Sequence, residues 1–553
     1  MISLILHNNR FSVISQTGSE RDILAKLARE CLLFKNPVMT DAENLARIKR
    51  WEVPRYIPNM LLMAQPAALN QVGYDDIPIG YLPEIKEWLI ANVGKDKIKV
   101  SDLSTGSAKI TGYTPAAMMM YSDKLRHYQN VIAGQVFKVR RAQAISMTGS
   151  GKTIIMSHVI AAHNMPTVIL CHRRLLIKQW AKALAFISPD QDKPIIPYTL
   201  VSGKVTKGNC PILISTFQSI GNFSEKSEKA LLSKAYRDPI LGIKTAKLPA
   251  VGPEGLLKQN RLDELAEKGF DIKNSARLAL VIDEAHIAPA FAYYNIANAF
   301  HPTVLYGCTA TPFRKDGRHI YANALFSSRT FETDPESVLG HLARMRYITI
   351  PIDGYFNEKE IMAAITHEDA VMDAAKMKLV VGDPIRYSIL LETIKSVAGA
   401  GLSCAVICGN NMWLTELLKD ALDNSAVPCR CVLGSTKMPE RDAAIADTIS
   451  GVNKVLIATT TLDEGVDIPS LDAIVFAVPF SSKITAIQRA GRIARKSPGK
   501  ERGFIIDFID TAIPRLSAMG YARRAHIKRA FAIKELRTVT SDNVGNALEI
   551  QGE

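Results

Sequence analysis

The sequence has 553 residues, of which 47% are hydrophobic and 22% are charged. These values are ordinary for folded proteins, and they exclude a wholly disordered chain, a collagen-like repeat and a small disulfide-stapled scaffold. At roughly 150 residues per domain, the length predicts three or four domains. Lys and Arg number 68 against 54 Asp and Glu, a formal net charge of +14, which favours a polyanionic partner such as nucleic acid.

The cysteines and the apolar segments favour an intracellular, cytoplasmic location. The eight cysteines lie mostly inside apolar runs rather than in a secreted disulfide framework, which is typical of a reducing compartment. No apolar run approaches the roughly 18 residues that a membrane span needs. The opening MISLILHNNR lacks the features of a signal peptide, so we expect no membrane partner.

Short apolar runs alternate with helix-like segments in two successive series. The first series comprises AQAISM, TVILC, PILIST, LALVID and TVLYGC; the second comprises CAVICG, RCVLG, KVLIAT, AIVFAV and GFIIDF. Continuous apolar strands between helices predict parallel sheets covered on both faces. We therefore expect an α/β fold with one parallel-sheet domain at 116–328 and a second at 329–512.

The rest of the chain differs in pattern. Residues 1–115 predict a small α+β accessory domain, which we expect to bind DNA. The charged segment 221–277 is too long for an ordinary loop, so we interpret it as an insertion in the first sheet domain. Residues 513–553 form a basic C-terminal tail, for which a duplex-backbone contact and a helix packed on the second domain both stay open.

A phosphate-binding loop follows the first strand of the first series. In MTGSGKT (147–153), the glycines allow a tight turn whose N–H groups face phosphate oxygens. Lys152 supplies a positive charge, and the Thr153 hydroxyl is a candidate Mg²⁺ ligand. Ser146 occupies the position where the pattern usually begins with Gly. The predicted nucleotide-binding residues here are Thr148, Gly149, Ser150, Gly151, Lys152 and Thr153.

The segment VIDEAH (281–286) places two carboxylates at the end of an apolar strand. Asp283 is the candidate Mg²⁺ ligand, acting through water, and Glu284 is the candidate base that orients and deprotonates an attacking water. Phosphoryl transfer needs such a pair, because its catalysis is mostly positioning and charge neutralisation.

With these motifs, the chain resembles the superfamily 2 helicases and translocases of the DEAH type over roughly residues 120–512. LRHYQ (125–129) resembles the adenine-reading segment, and CTATPFRKDG (308–317) resembles the coupling motif. IATTTLDEGVDIP (457–469) and QRAGRIAR (488–495) resemble the fifth and sixth motifs. The resemblance implies two tandem RecA-like motor domains that use ATP and Mg²⁺.

The resemblance also implies roles for individual residues. It makes Gln129 the adenine contact and Gly465 and Asp467 further nucleotide contacts. It assigns coupling to His286, Thr309 and Thr311, and catalysis to Gln488, Arg492 and Arg495 together with Lys152, Asp283 and Glu284. Because Arg492 and Arg495 are three residues apart, we expect both on one helix face, aimed at a γ-phosphate.

Candidate nucleic-acid contacts lie in segments that resemble the family's strand-binding motifs, such as CHRRLLIKQW and STFQS, or follow strands of the second series. Hydroxyls, amides and basic groups at such positions bind phosphates without reading sequence. For the asparagines, the alternative that they only close turns stays open. The candidates are Arg173, Arg174, Thr216, Gln218, Asn410, Asn411 and Thr459.

A small N-terminal domain ahead of a compact motor is similar to the layout of UvsW-type phage branch-migration helicases. That resemblance implies a DNA repair, recombination or replication enzyme acting on forked DNA, in the host cytoplasm if the chain is phage-encoded. An RNA helicase, a double-strand translocase and a nucleotide-gated clamp without turnover are the alternatives. The sequence identifies no single-strand-binding or recombination partner, and it leaves polarity, junction preference and oligomeric state open.

Two other kinds of site are disfavoured. Asp75, Asp76, Glu84 and Lys86 resemble a nuclease metal site, but EIKEWL has the pattern of an amphipathic helix rather than of the strand such a site needs. The pairs Cys404/Cys408 and Cys429/Cys431 lack the usual zinc-ligand spacing, so we expect buried thiols there.

Overall fold

The structure is a computed structural model. It describes residues 2–6, 10–15, 20–35, 60–62, 65–66, 72–103, 124–163, 165–188, 192, 194–222, 236–237, 239–240, 244–247, 256–272, 277–310, 318–365, 374–459, 468, 470–500 and 502–548. The chain divides into two compact units. The first unit contains Met1–Ser146 and Gly151–Thr333, and the second contains Met147–Ser150 and Asp334–Glu553. Within the described ranges, no helix combines the length and apolar character that crossing a membrane requires.

The N-terminal part of the first unit is α+β, as predicted. Its elements are β1 (Ile2–Leu6), β2 (Arg10–Ser15), α1 (Arg21–Leu27), β3 (Leu33–Lys35), β4 (Met60–Leu62), β5 (Gln65–Pro66), β6 (Val72–Pro78), α2 (Leu82–Val93) and β7 (Ile98–Asp102), with a π-helical turn at Ala28–Leu32 and 3₁₀ turns at Ile79–Tyr81 and Lys95–Lys97. Five strands form one sheet in the order β5-β6-β2-β1-β7. Glu84 and Lys86 lie on helix α2, so the strand that a nuclease site would need is absent at this position.

The large sheet of the first unit carries the first series of apolar runs. Its strands are β8 (Arg141–Ile145), β9 (Thr167–Cys171), β10 (Tyr198–Val201), β11 (Lys204–Thr206), β12 (Ile212–Thr216), β15 (Ala279–Asp283), β16 (Val304–Thr309) and β17 (Thr330–Glu332). They lie in the order β11-β10-β12-β9-β15-β16-β8-β17, and all neighbours are parallel except β10 and β11. All five predicted runs are therefore strands of one sheet.

Helices cover this sheet, as continuous apolar strands require. They are α3 (His127–Phe137), α4 (Lys152–His163), α5 (Arg174–Phe186), α6 (Phe217–Ile220), α7 (Gln259–Glu267), α8 (Phe291–Ala299) and α9 (His319–Phe326), with a 3₁₀ turn at Ala285–Ile287. Side chains of the N-terminal sheet and of one side of the large sheet share a single hydrophobic core. The Tyr81 hydroxyl, in the N-terminal part, donates a hydrogen bond to the Ile320 carbonyl at 2.9 Å. A Cβ atom at Gly80 would overlap the carbonyl oxygen of Asn323, so glycine permits this close approach.

The insertion joins the N-terminal part to a small second sheet. Its described strands, β13 (Tyr236–Arg237) and β14 (Lys244–Lys247), extend β3 and β4 in the order β13-β14-β4-β3. Strand β14 runs parallel to β4. The segment that interrupts the large sheet in sequence therefore pairs with β4, a strand that precedes that whole sheet in the chain.

The second unit carries the second series of runs on an all-parallel sheet. Its strands are β18 (Arg344–Pro351), β19 (Cys404–Ile407), β20 (Cys429–Val432), β21 (Val455–Ala458), β22 (Ala473–Phe476), β23 (Arg502–Ile509) and β24 (Glu535–Thr538). Their order is β20-β21-β19-β22-β23-β18-β24, with every pair parallel. Cys404, Cys408 and Cys429 are buried, and all eight cysteines are free thiols. In the part of the chain that is described, no group of His, Cys, Asp or Glu could hold a metal ion by itself.

Helices cover the second sheet as well. They are α10 (Pro335–Leu339), α11 (Glu358–Ala364), α12 (Ala374–Val381), α13 (Pro384–Gly399), α14 (Met412–Asn424), α15 (Met438–Ile449), α16 (Lys483–Ile493), α17 (Pro514–Phe531) and α18 (Val544–Leu548), with a 3₁₀ turn at Ser541–Asn543. The segment that the sequence assigns to a basic tail thus supplies two helices and the edge strand β24, which pairs with β18. Its Leu516, Val544 and Leu548 belong to the hydrophobic core of the second unit.

Two buried ion pairs hold helices against this sheet. Arg523, on α17, contacts both carboxylate oxygens of Asp507 at 2.6 and 2.9 Å. Arg386, on α13, contacts Asp510 at 2.7 Å. The four side chains are at most 1% exposed. Both carboxylates lie at or just after the end of strand β23, so the two pairs fix two covering helices to one strand.

We predict that Arg523→Gln destabilises the second unit by about 3–5 kcal/mol, because it leaves the Asp507 carboxylate buried without its cation. Chemical denaturation measures the free energy of unfolding. The matched control is Lys419→Gln, which removes a cation from the exposed Lys419–Asp423 pair and should cost less than about 1 kcal/mol. Equal losses in the two variants would contradict the structural role of Arg523.

Candidate active site

The candidate catalytic residues of the first unit follow the carboxyl ends of its parallel strands. Lys152 and Thr153 follow β8, Arg173 follows β9, Gln218 follows β12, and Glu284 follows β15. The carboxyl ends of parallel strands lie at one edge of a sheet, where α/β proteins bind ligands. The fold therefore brings residues from distant parts of the sequence to one edge.

The phosphate loop has the backbone conformation that its glycines allow. Gly149 and Gly151 have φ of 88° and 84°, values that side-chain-bearing residues rarely adopt. Helix α4 begins at Lys152, whose ammonium group lies 3.4 Å from the Ser146 carbonyl. Ser146 itself is buried and forms a hydroxyl–hydroxyl hydrogen bond with Thr333 at 2.9 Å. Ser146, which replaces the usual first glycine of the pattern, is thus accommodated because its side chain is buried and bonded to Thr333.

Gln129 lies against this loop. Its Oε1 accepts a hydrogen bond from the Arg126 N–H at 2.9 Å, which caps helix α3. A Cβ atom at Gly151 would come within 2.5 Å of Gln129 Nε2. The predicted adenine contact is therefore next to the loop, and 5% of its surface is exposed.

Asp283 is buried and held by several donors. The indole N–H of Trp180 donates to its Oδ2 at 2.8 Å, and the Glu284 N–H donates to its Oδ1 at 2.9 Å. The Cys308 thiol lies 3.4 Å from the same Oδ1. Burial, reinforced by the Glu284 charge, raises the pKa of Asp283 above its ordinary value. A cation beside this carboxylate would favour its ionised form.

Glu284 stands in a strained backbone conformation and is ionised. Its φ and ψ are 50° and 55°, the left-handed region that a glutamate rarely occupies. Burial alone would raise the pKa of its carboxyl, but the Lys152 ammonium and His286 lower that pKa to about 2. His286 Nδ1 lies 3.3 Å from Glu284 Oε2. The side chain thus carries the charge that a general base needs.

His286 links Glu284 to the neighbouring strand. Its Nδ1 is also 3.1 Å from the Thr309 hydroxyl, at the end of β16, and Thr309 is fully buried. Two of the three predicted coupling residues therefore meet directly. The third, Thr311, lies outside the described residues.

These residues fit Mg²⁺ and a nucleoside triphosphate. The loop offers glycine-lined backbone and an ammonium group, and Thr153 follows directly on α4. Asp283 provides a desolvated carboxylate of the kind that hard cations prefer. The candidate magnesium residues are thus Thr153 and Asp283, as the sequence predicts.

In the second unit, helix α16 carries two of the three predicted catalytic residues. Gln488 is 6% exposed, and its Nε2 has no hydrogen-bond partner among the described residues. Arg492 lies in the last turn of α16. The expectation of a shared helix face with Arg495 is wrong: the helix ends at Ile493, and Arg495 forms a β-bridge with Leu342. Gly465 and Asp467 lie outside the described residues.

The candidate nucleic-acid contacts fall into two groups. Arg174, Gln218 and Asn410 are exposed, and Arg173 is half-buried. The remaining three have structural tasks or are buried. The Thr216 hydroxyl caps helix α6 by accepting from the Ser219 N–H at 3.2 Å, Asn411 donates to the Cys408 carbonyl at 3.1 Å, and Thr459 is 6% exposed. The structure favours the turn-closing interpretation for Asn411.

Sequence reasoning missed residues that support the carboxylates. Trp180 is fully buried beneath Asp283, and the positive field of His172 helps to lower the pKa of Glu284. Both belong to CHRRLLIKQW, a segment whose resemblance to a strand-binding motif predicts only nucleic-acid contacts. The sequence does place Trp180 on the apolar face of a helix that follows a neighbouring strand. Spacing in the sequence, however, does not reveal that its indole N–H bonds to Asp283.

Comparison with known proteins shows two matching family models. The type III restriction enzyme res subunit model matches residues 122–314, and the helicase conserved C-terminal domain model matches residues 389–497. Each model falls on one of the two large parallel sheets and its covering helices.

Two curated relatives are also similar. The provisionally named helicase 22 of Sulfolobus islandicus filamentous virus (isolate Iceland/Hveragerdi) is 28% identical over 406 residues, 69% of this chain and 61% of that protein. The general transcription and DNA repair factor IIH helicase/translocase subunit XPB of Antonospora locustae is 21% identical over 430 residues, 75% of this chain and 55% of that protein. The chain therefore spans little more than half the length of these relatives.

A solved structure supports the fold. Dbp5 of S. cerevisiae, bound to RNA and ADP BeF3, aligns with a TM-score of 0.52 and 17% identity over 79% of this chain and 96% of that chain. The similarity confirms the predicted pair of RecA-like parallel-sheet domains.

We predict that Trp180→Phe weakens Mg²⁺-dependent nucleotide binding about tenfold. The variant keeps an aromatic ring in the core but removes the hydrogen bond to the Asp283 carboxylate, and a bond to a charged group contributes about 1.5–3 kcal/mol. Isothermal titration calorimetry with a non-hydrolysable ATP analogue, across a Mg²⁺ series, measures the effect. Trp413→Phe, in the second unit, is the matched control; an unchanged Mg²⁺ requirement in Trp180→Phe would contradict the positioning role.

Proposed function

We propose that this chain is a superfamily 2 ATP-dependent DNA helicase or translocase that remodels branched DNA, by fork regression and junction branch migration in replication, recombination or repair. The two matching family models, one of them for a helicase C-terminal domain, fall on the two large sheets and support this proposal. The observation that carries the proposal is the part-buried Glu284 carboxylate, which lies 3.3 Å from His286 Nδ1 and whose pKa is lowered by the Lys152 ammonium and His286.

The geometry of the first unit supports hydrolysis. Glu284 is placed to accept a proton from a water that attacks the γ-phosphorus, and its low pKa keeps the carboxylate ready for that proton at neutral pH. Lys152 and the loop N–H groups hold the β- and γ-phosphates. Mg²⁺, when bound near Thr153 and Asp283, would neutralise charge that develops on the phosphate oxygens. Trp180 keeps the Asp283 carboxylate oriented.

The second unit is proposed to sense the γ-phosphate through Arg492 and Arg495. An arginine that reaches the transferring phosphoryl group can raise the rate by about 10³–10⁵. Arg492 is on α16 and Arg495 follows it on an extended segment, so the two guanidinium groups come from different backbone conformations. If both act on nucleotide held by the first unit, hydrolysis requires the two units to approach one another. Binding and release of the γ-phosphate would then drive alternate closing and opening.

Several observations favour DNA as the substrate. The net charge of +14 suits a polyanion. The XPB relative is named as a subunit of a DNA repair factor and as a helicase/translocase, whereas the likeness to Dbp5, a structure bound to RNA, supports the fold alone. The exposed Arg174, Gln218 and Asn410 would hold the sugar-phosphate backbone without reading bases.

Branched DNA suits a motor of this size on energetic grounds. Separating a duplex costs about 1.4 kcal/mol per base-pair step. At a fork or four-way junction, each broken pair is replaced by a newly formed one, so the exchange is nearly balanced. ATP hydrolysis then mainly supplies direction, which two RecA-like domains can provide by moving along one strand or one duplex.

We predict that the protein, with ATP and Mg²⁺, regresses a synthetic fork and migrates a four-way junction at least about tenfold faster than it unwinds a plain tailed duplex. Native gel analysis of labelled products, with a tailed RNA duplex alongside, measures the rates. Faster action on the plain DNA duplex would contradict branch remodelling, and faster action on RNA would contradict the choice of DNA.

The matched control is Glu284→Gln, which keeps size and hydrogen-bonding capacity but removes the base. It should bind nucleotide and DNA while DNA-stimulated ATP hydrolysis and fork regression fall by at least about 10². If the parent protein grips DNA in an ATP-dependent way but hydrolyses ATP no faster than this variant, the protein is a nucleotide-gated clamp instead.

A further inference from the structure

The C-terminal segment of the second unit presents positive charge that the motor motifs do not use. Between 511 and 534 the sequence contains no Asp or Glu, while Lys528, Arg529 and Lys534 are all exposed. None of these three side chains forms an ion pair or hydrogen bond with a described residue. The segment thus carries three exposed positive charges that pair with no acidic side chain among the described residues.

The surrounding charges are already neutralised. Arg523, on the same helix α17, is committed to the buried pair with Asp507. The first acidic residue after the segment, Glu535, accepts from Arg346 at 2.7 Å and lies 3.6 Å from Arg502. Asp507 and Glu535, the described acidic residues paired with this segment or directly after it, are therefore already engaged by other arginines.

The sheet topology separates this surface from the nucleic-acid candidates of the second unit. Helix α17 follows β23 and leads into β24, and the two strands both run parallel to β18. The last turn of α17 and Lys534 therefore lie at the edge where the strands begin. Asn410 and Thr459 follow β19 and β21 and lie at the opposite edge. An eight-residue strand such as β23 separates the edges by about 25 Å.

We propose that Lys528, Arg529 and Lys534 form a basic surface that holds the phosphate backbone of duplex DNA, independently of nucleotide. The cations line and flank a shallow hollow that also contains His526, Ala532 and Ile533. Lysine and arginine on a rigid element bind phosphates without sequence preference. The inference rests on the proposed function and adds a second hold on DNA, away from the strand-tracking edge.

Duplex rather than single-stranded DNA fits this surface. Proteins that bind single strands without sequence preference combine positive charge with several aromatic side chains on which bases stack. In residues 513–548, which the structure describes throughout, Tyr521 is exposed by 52% whereas Phe531 is buried. One exposed aromatic ring does not make a stacking platform, whereas charge alone suffices for a duplex backbone.

A structural explanation for the same charges exists and is separable. Lys528 and Arg529 lie in the last turn of α17, where cations interact favourably with the helix dipole. That role predicts a lower melting temperature when the charges are removed. It predicts no change in the salt dependence of DNA binding, because only displaced counterions produce that dependence.

The test compares Lys528→Gln/Arg529→Gln/Lys534→Gln with the parent protein by fluorescence anisotropy on a labelled 30-base-pair duplex, from 50 to 300 mM salt. With about 0.9 in the slope of log affinity against log salt for each phosphate contact, the slope should fall in magnitude by about 2–3. The dissociation constant near 100 mM salt should rise at least about tenfold, by the same factor with ADP, an ATP analogue or no nucleotide. A slope and an affinity for the duplex that match those of the parent overturn the inference.

The matched control is Lys395→Gln/Lys419→Gln/Arg430→Gln, which also removes three positive charges from the second unit. Each of these cations is already paired, with Glu392, Asp423 and Asp447 respectively, so the slope should change by less than about 1. An equal effect in this control attributes the loss to net charge and overturns the inference. If the test variant melts early, the charge-preserving Lys528→Arg/Lys534→Arg must retain parental binding, and each single Gln variant must lower the slope by about 1.

Failure of this inference is distinguishable from failure of the proposed function. A parent protein without DNA-stimulated ATP hydrolysis contradicts the motor, whatever the basic surface does. A stimulated parent whose test variant binds duplex as the parent does contradicts the surface alone. Loss of single-strand binding with unchanged duplex binding assigns these cations to the other class of DNA and overturns the proposal as stated.

Discussion

Two adjacent carboxylates at the end of one strand, the buried Asp283 and the part-buried Glu284, are the constraint around which the first unit is built. Asp283 and Glu284 repel one another, and burial penalises both charges. The Lys152 ammonium, the Trp180 indole and His286 offset that cost from three different directions. The phosphate loop, the helix after β9 and the 3₁₀ turn after β15 therefore have to meet at one place. The site exists because the sheet order puts β9 beside β15, with β8 one strand further along beyond β16.

The second unit also buries two carboxylates, but it neutralises them with arginines. Its buried acids, Asp507 and Asp510, are paired with arginines of the covering helices. These pairs fix α13 and α17 to the sheet, and both carboxylates accept hydrogen bonds from arginine, so they position structure. The carboxylates of the two units therefore differ in role. Those of the first unit can still accept a cation and a water, whereas those of the second unit are occupied by arginines.

Much of the fold was predictable, because a parallel sheet covered on both faces requires continuous apolar strands, and ten such runs stand out in the sequence. The phosphate loop and the carboxylate pair were equally visible, since their glycines, lysine and acids are local in sequence. Three features were not predictable: the pairing of β14 with β4, the addition of β24 to the second sheet, and the hydrogen bond between Trp180 and Asp283. All three depend on contacts between residues far apart in the chain, which local patterns do not encode. The predicted helical position of Arg495 is wrong because helix α16 ends at Ile493, although the three-residue spacing from Arg492 fits a continuing helix.

We propose that nucleotide held by the first unit is also contacted by arginines of the second, so that the γ-phosphate draws the units together. Fluorescence energy transfer between labels introduced at the exposed Lys182 and Asn424 tests it most directly. We expect ADP·BeF₃ with DNA to change the transfer efficiency in the parent protein. After Arg492→Ala, the same addition should leave the transfer efficiency unchanged, although both proteins still bind the nucleotide. The same change in both proteins, or none in the parent, would contradict a nucleotide shared between the two units.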